Sequence, residues 1–429
     1  VQPLAQKGGN LMFRKVLSLS LTAFLAFSFL TACGPKRDLG AQNIVGDKKP
    51  EKLVVWENAD DGKQLGNTKK LAAEYEKKTG IKVEVIPVSI LKQQDKLTLD
   101  GPAGKGADLV TWPHDRIGEA AIKGLIQPIQ VDSSVTSQFD ASAIQALTYN
   151  SKLYGLPKVT ESVALIYNKK LMPEVPKTYE DLLSFAKQNT NGAEKKYGLL
   201  FEANNFYFSH FLFSNKGGYI FKNDGGKYDT NDIGLNSVGA VAGAKEMERL
   251  FKEGILPQGL KGDAVNGLFK EGKVAAVING PWAIRDYQSA GIDVGVAPIP
   301  SVDGKPAQTF IGVKGWYLSA YSKYPKYATD LMMFLTSKDA LKSRFQDTGE
   351  IPPRGDLASD PVIANDPLVS GFAAQAKTGV PMPNIPEMGL VWEPINNALN
   401  FIASGKQTPE QALNDAVKII KDKIKTQKQ

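Results

Sequence analysis

The sequence predicts an α/β layer fold, with helices packed on mostly parallel sheet, built more than once along the chain. Three observations predict it. Short apolar strand-like runs alternate with amphipathic helical stretches from residue 53 onward. The 429 residues suffice for two or three domains at roughly 100 to 200 residues each. A composition of 42% hydrophobic and 23% charged residues is that of a globular chain that buries cores.

The elements follow in order. Residues 53–56 (LVVW) form a short apolar strand. Residues 69–78 place Leu71, Ala72 and Tyr75 at helical spacing, and Gly80 supplies a C-terminal stop. Residues 81–86 alternate as a second strand, and residues 108–112 (DLVTW) are a third. Pro113 then suits the first turn of a helix continued by Ala120, Ala121 and Leu125. The alternation resumes with apolar residues 163–167, a helix over 178–187 and a buried strand over 274–278 that runs into Asn279-Gly280-Pro281-Trp282. Strands are expected over 292–298 and 312–319, and a helix over 330–335. Thr408-Pro409-Glu410-Gln411 has the residues of a capping box, and Leu413, Ala416, Val417, Ile420 and Ile424 make one apolar face of a terminal helix.

The N-terminal stretch carries a different signal. Met12 to Lys15 is short and cationic, and residues 16–30 are apolar but too few for a comfortable membrane span. Leu30-Thr31-Ala32-Cys33-Gly34 follows, small residues before the only cysteine of the chain. This is the pattern of a secretory signal peptide and resembles the bacterial lipobox, in which the cysteine is acylated and becomes the new N-terminus. Acyl chains hold a membrane by roughly 0.8 kcal/mol per buried CH₂. Residues 38–52, polar and rich in lysine, read as a tether. The residues before Met12 look non-native or misassigned.

The formal charge of +7 is a mild excess, since Lys7, Arg14 and Lys15 precede Cys33 and no acid does. No aromatic-interleaved basic stripe marks a nucleic-acid partner. A single cysteine excludes an intrachain disulfide, and the two histidines, His114 and His210, have no ligand-like spacing, so no metal or other cofactor is expected. Gly-x-Ser-x-Gly, HExxH and the P-loop are absent. One hydrolytic reading stays open: Asp115 and Glu161, near predicted strand ends, could flank a sugar bond as a glycosidase pair.

Binding explains more residues. Sugars offer hydroxyls that donate and accept, and apolar C–H faces. Their sites call for planar polar side chains and flat aromatic rings. Such groups recur at predicted strand ends: Asn58 and Asp60, Trp112 with Asp115 and Arg116, Glu161, Trp282 and Trp392. Strand carboxyl ends are where open α/β sheets hold ligands. In TWPHDRIG (111–118), Asp115 should be kept ionised by the helix start and by Arg116, and His114 reads as structural.

The stretches KLVVWENADDG (52–62), EYEKKTGIKVEV (74–85), GADLVTWPHDRIG (106–118), TESVALIYNKKL (160–171), GGYIFKNDGGKYD (217–229), VINGPWAI (277–284) and MPNIPEMGLVW (382–392) together resemble the bacterial maltose/maltodextrin-binding proteins, the capture subunits of ATP-driven sugar importers. The resemblance implies a periplasmic-binding-protein-like fold with two α/β lobes around a ligand cleft. It implies a signal segment at 1–32, a lipid-anchored tether at 33–50, and lobes alternating over 51–161, 162–310, 311–365 and 366–429. The implied ligand groups are Asn58, Asp60, Trp112, Asp115, Arg116, Glu161, Tyr207, Trp282 and Trp392, with Tyr207, Trp282 and Trp392 stacking on glucose rings. The implied protein is not an enzyme. It is a monomeric receptor on the outer face of the membrane, acylated at Cys33, that passes maltose or maltodextrins to a permease; another oligosaccharide is the alternative cargo. The chain departs from the family pattern at four places. Asp61 replaces a lysine, Asn205-Phe206-Tyr207 replaces Glu-Pro-Tyr, and Glu393 and Asn396 replace a tyrosine and an arginine.

Overall fold

A computed structural model describes residues 48–427. The expected signal segment, Cys33 and all but the last residues of the expected tether lie outside them. The chain folds into two α/β lobes, each built on its own sheet.

In the larger sheet Lys52–Asn58 lies between the edge strand Lys82–Val88 and Leu109–Pro113. Phe310–Leu318 follows Leu109–Pro113, and both Gly155–Glu161 and Val380–Pro381 pair with it. The second sheet has the order Val294–Ala297, Ala164–Asn168, Val274–Asn279, Tyr197–Leu200.

Most strands of each sheet run in one direction, as expected, with exceptions. Phe310–Leu318 runs antiparallel to Leu109–Pro113 and to Gly155–Glu161, and Ala164–Asn168 is antiparallel to both of its neighbours. The reason is connectivity. Lys52–Asn58, Leu109–Pro113 and Gly155–Glu161 run toward the cleft. The chain then steps from Glu161 to Ala164, from one sheet into the other, with no crossover helix between. A parallel neighbour needs such a crossover. A strand that enters its sheet from the cleft must oppose the strands that end there, and Ala164–Asn168 and Phe310–Leu318 both do.

Strand alternation divides in two the interior of the first lobe, the one built on the larger sheet. Leu53, Val55, Leu109, Leu156, Trp316 and Leu318 pack against Leu71 and Tyr75 of the helix Gly62–Thr79, and against Leu331 and Phe345 of two later helices. Trp56, Val110, Trp112, Val313 and Tyr317 face the other way, onto Leu97, Ile117 and Leu147. In the second lobe, Val274 to Ile278 are buried on both faces, and the apolar face predicted for the terminal helix Pro409–Gln427 closes onto that core. Its capping box is formed. The Gln411 N–H donates to the Thr408 hydroxyl at 3.3 Å, and the Gln411 carboxamide accepts from the Thr408 N–H at 3.4 Å.

Several boundaries differ from the sequence reading. The first helix begins at Gly62 because the Asp61 carboxylate caps it, accepting from the N–H groups of Lys63 and Gln64 at 2.8 and 3.1 Å. Gly80 ends it at φ 70°, where a residue with a Cβ would be strained. Pro113 is the last strand residue, and a short 3₁₀ turn, His114–Arg116, precedes the helix.

Candidate functional site

The strands that run toward the cleft deliver their carboxyl ends to one cavity of about 660 Å³. Asn58 ends Lys52–Asn58, and Asp60 lies in the loop beyond it. Asp115 and Arg116 follow Leu109–Pro113, and Glu161 ends Gly155–Glu161. From the other lobe, Tyr207 sits in the first turn of the helix Phe206–Ser214, Trp282 follows Val274–Asn279, and Trp392 opens the helix Trp392–Ala403. These eight of the nine expected residues line the cavity.

Trp112 does not. It is fully buried and stacks on Tyr317, ring centroids 5.1 Å apart at 20°. Alternation puts it on the same face as Val110, beneath the helices, two residues short of the turn that opens toward the cleft. Its large ring therefore supports the site from within the core.

Asp115 is held by the Trp392 indole, whose Nε1–H donates to Oδ2 at 2.7 Å. This bond joins the two lobes across the cavity. The expectation that the helix start governs the Asp115 carboxyl is corrected, because burial has the larger effect. Burial raises its carboxyl above the usual value, while Arg116, His114 and the Trp392 N–H oppose that rise. A three-residue 3₁₀ turn offers too little aligned dipole to outweigh full desolvation. His114 is structural, as read. The Val313 N–H donates to its Nδ1 and its Nε2–H donates to the Met382 carbonyl, both at 3.0 Å, which ties the 380s segment to the central sheet.

Asn58 works mostly inward. Its side-chain oxygen accepts from the Asp60 and Ile90 N–H groups, each at 3.1 Å, so the amide fixes the loop that carries Asp60. The Tyr207 hydroxyl is buried without a partner among the described residues, and its ring stacks on Phe310, centroids 6.1 Å apart at 22°. Trp282 lies 6.3 Å from Tyr207, tilted at 42°. Gly280 makes that placement possible, because a Cβ there would fall 2.1 Å from the Trp282 ring. Tyr207, Trp282 and Trp392 thus bring aromatic rings from one lobe, opposite Asp60, Asp115 and Glu161 of the other. That division suits a ligand with flat apolar faces and a rim of hydroxyls.

The four departures have distinct fates. Asp61 is the helix cap described above and also lines the cavity. Asn205 caps Phe206–Ser214 by accepting from the Tyr207 N–H at 3.2 Å, and Asn396 accepts from the Phe206 N–H at 2.9 Å. Both line the cavity. Glu393 faces solvent and pairs with Lys423 at 2.6 Å.

Sequence reasoning missed Lys314, Asn266 and Asp286, all at the cavity. Lys314 had a usable signal, since it is the one charged residue in the apolar strand FIGVKGWYL. Its ammonium lies 2.7 Å from Glu161 and 3.1 Å from Glu350. Asp286 pairs with Lys63 of the other lobe at 3.0 Å, and Lys63 also donates to the Ser289 hydroxyl at 2.9 Å. Asn266 accepts from Asn279 and Tyr287 at 2.9 and 2.5 Å, fixing the turn that carries Trp282. Neither of these had a local signal.

Comparison with known proteins places these features in context. Residues 70–371 match the model for bacterial extracellular solute-binding proteins. The galactooligosaccharide-binding protein of Bacillus subtilis (strain 168) is 38% identical over 422 residues, 96% of this chain and 98% of that protein. Maltodextrin-binding protein MdxE of the same organism is 33% identical over 426 residues, again 96% and 98%. A crystal structure of a cyclo/maltodextrin-binding protein complexed with maltotetraose is 71% identical, with a TM-score of 0.77, covering 90% of this chain and 100% of that one.

Proposed function

The chain belongs to the bacterial extracellular solute-binding protein family, and on that premise we propose that it captures maltose and longer maltodextrins for the permease of an ABC importer. The observation that carries this reading is the convergence of Asn58, Asp60, Asp115, Arg116, Glu161, Tyr207, Trp282 and Trp392 on one cavity between two lobes. Tyr207, Trp282 and Trp392 stack on glucose rings. Asp60, Asp115 and Glu161 accept from sugar hydroxyls, Arg116 donates, and Asn58 keeps Asp60 in place. The 71% identical structure with maltotetraose supports the cargo. The relatives are named as binding proteins, which supports capture over hydrolysis.

The lobes divide over residues 51–161 with 311–365, and 162–310 with 366–429. In support, the buried core of the second lobe draws on residues 163–310 and 368–424, and the cores of the first on residues 53–156 and 313–363. Ligand between the lobes favours the closed arrangement, because only there do both lobes touch it. Acylation at Cys33 anchors the receptor to the outer face of the membrane, a reading supported by relatives named as solute-binding lipoproteins.

Calorimetric titration with maltose, maltotetraose, maltoheptaose and galacto-oligosaccharides tests the cargo. Maltodextrins should bind most tightly, and preference for galacto-oligosaccharides would replace them. Chromatography after hours with maltoheptaose should show no product. Steady hydrolysis lost in Asp115→Asn would install the glycosidase. Cys33→Ala should release the protein from membranes, and its retention after carbonate washing would refute the anchor.

A further inference from the structure

Lys314 does not belong to the set of ligand groups read from the sequence, yet it sits where the lobes meet. Its strand, Phe310–Leu318, lies against Gly155–Glu161, and Gly312 is the cross-strand partner of Glu161. A Cβ at Gly312 would come within 3.1 Å of the Glu161 side chain. The glycine therefore leaves a bed across which Glu161 reaches toward the Lys314 ammonium at 2.7 Å. That contact is a close ion pair, and among the described residues the buried Oε2 of Glu161 has no other donor. On its other sides the ammonium meets Glu350 and lies 5.1 Å from the centroid of the Trp282 ring.

A larger ionic chain continues inward. Glu350 pairs with Arg344 at 2.7 Å, Arg344 with Glu57 at 3.2 Å, and Glu57 with Lys158 at 3.0 Å. Lys158 closes the chain over the Trp316 ring at 4.1 Å. The inner four groups, Glu350, Arg344, Glu57 and Lys158, balance their charges without help and do not line the cavity. Lys314 and Glu161 are an added pair at the cavity end, and both line it. A buried carboxylate needs a cation to remain ionised. Lys314 supplies the cation from a different strand.

We propose that Lys314 is a positioning and specificity residue of the sugar site, holding the Glu161 carboxylate ionised and aimed into the cavity as an acceptor for ligand hydroxyls. The inference rests on the maltodextrin reading and deepens it. The charged groups around Glu161 are Lys314 from its neighbouring strand, Glu350 beyond that lysine and Lys158 on its own strand. The Tyr207 hydroxyl faces it from the other lobe. Burial raises the Glu161 carboxyl and Lys314 is the first influence that opposes it. Removing Lys314 therefore drives Glu161 toward the neutral acid, which accepts hydroxyl hydrogens less strongly.

The test is maltotetraose affinity from pH 4 to 8 for wild type, Lys314→Met, Lys314→Arg, Glu161→Gln and the Lys314→Met/Glu161→Gln double variant, with melting measured alongside. Lys314→Met should bind tenfold or more weakly at pH 7, and its loss of affinity on acidification should set in at least one pH unit higher than in wild type. Lys314→Arg should return that limb toward the wild-type position. The double variant, which removes the pair as a neutral unit, should fold and show no such limb. Lys314→Met with the wild-type acid limb, whatever its affinity, would overturn the proposal. Wild type that binds no maltodextrin would instead overturn the parent reading. The pair is then read in the unliganded protein from the carbon-13 carboxyl titration of Glu161, assigned with Glu161→Gln, and an unshifted titration in Lys314→Met again overturns it.

Discussion

Replacing Trp392 by phenylalanine separates what its ring does from what its N–H does. The phenyl group keeps an aromatic face at the cavity and loses the donor that reaches Asp115 Oδ2 at 2.7 Å. The acceptor is a buried carboxylate, and hydrogen bonds to charged groups contribute about 1.5 to 3 kcal/mol net. The bond joins Asp115 of one lobe to Trp392 of the other, so its loss weakens the closed arrangement that the sugar needs. At about 1.4 kcal/mol per factor of ten, maltotetraose affinity should fall roughly ten- to hundredfold. The smaller ring also loses stacking area, which a single variant cannot separate. A double-mutant cycle can: wild type, Trp392→Phe, Asp115→Ala and both, each titrated calorimetrically at pH 7. If the hydrogen bond is the cause, Trp392→Phe should cost at least about 1 kcal/mol less when Asp115 is absent. Equal costs in the two backgrounds would show that only the ring matters and would refute the reasoning.

Four further outcomes are expected. Trp282→Ala should weaken maltodextrin binding by roughly 2 to 4 kcal/mol, the range of an aromatic hot spot, with a smaller change in unfolding free energy; normal binding with early melting would make Trp282 a core residue. Arg344→Met leaves Glu57 and Glu350 each short of a buried cation and should destabilise the fold by about 3 to 5 kcal/mol in chemical denaturation, whereas a change below about 1 kcal/mol would mean the inner network is dispensable. His210 is buried, 3.7 Å from the Phe310 ring with its Nδ1–H donating to the Gln308 carbonyl, and burial holds its pKa at about 4. The unfolded chain takes up that proton first as pH falls, so this contribution is complete above roughly 6.5 and is lost on the way down to about 4. Its loss should cost about 3 kcal/mol, and a His210→Gln variant with the wild-type slope of stability against pH over that window would assign the loss to other groups. Small-angle scattering should show the molecule more compact with saturating maltotriose, and identical profiles would count against lobe closure.

Local pattern determined a good deal. Periodicity located most strands, and Thr408 and Gln411 marked the start of the last helix because a capping box is made within four residues. The site residues were legible wherever the chemistry sits at the end of a strand that runs toward the cleft, as with Asp60, Asp115, Glu161 and Trp282. The tertiary structure decided everything that depends on which surfaces meet. Trp112 and Trp282 both follow apolar runs, yet one packs on Tyr317 and the other lines the cavity, because a strand residue faces a helix layer while a residue past the strand faces the gap. Asp61, where the family pattern has a lysine, is a helix cap, its carboxylate accepting from the Lys63 and Gln64 N–H groups that follow it. Lys314 was visible as a lone charge in an apolar strand, but its partners lie 153 residues earlier and 36 later in the chain. Strand direction was equally non-local. It followed from the chain entering each sheet at the cleft, and periodicity carries no sign for direction. Residue spacing records what a segment can bury, and only the packing of distant segments fixes what it touches.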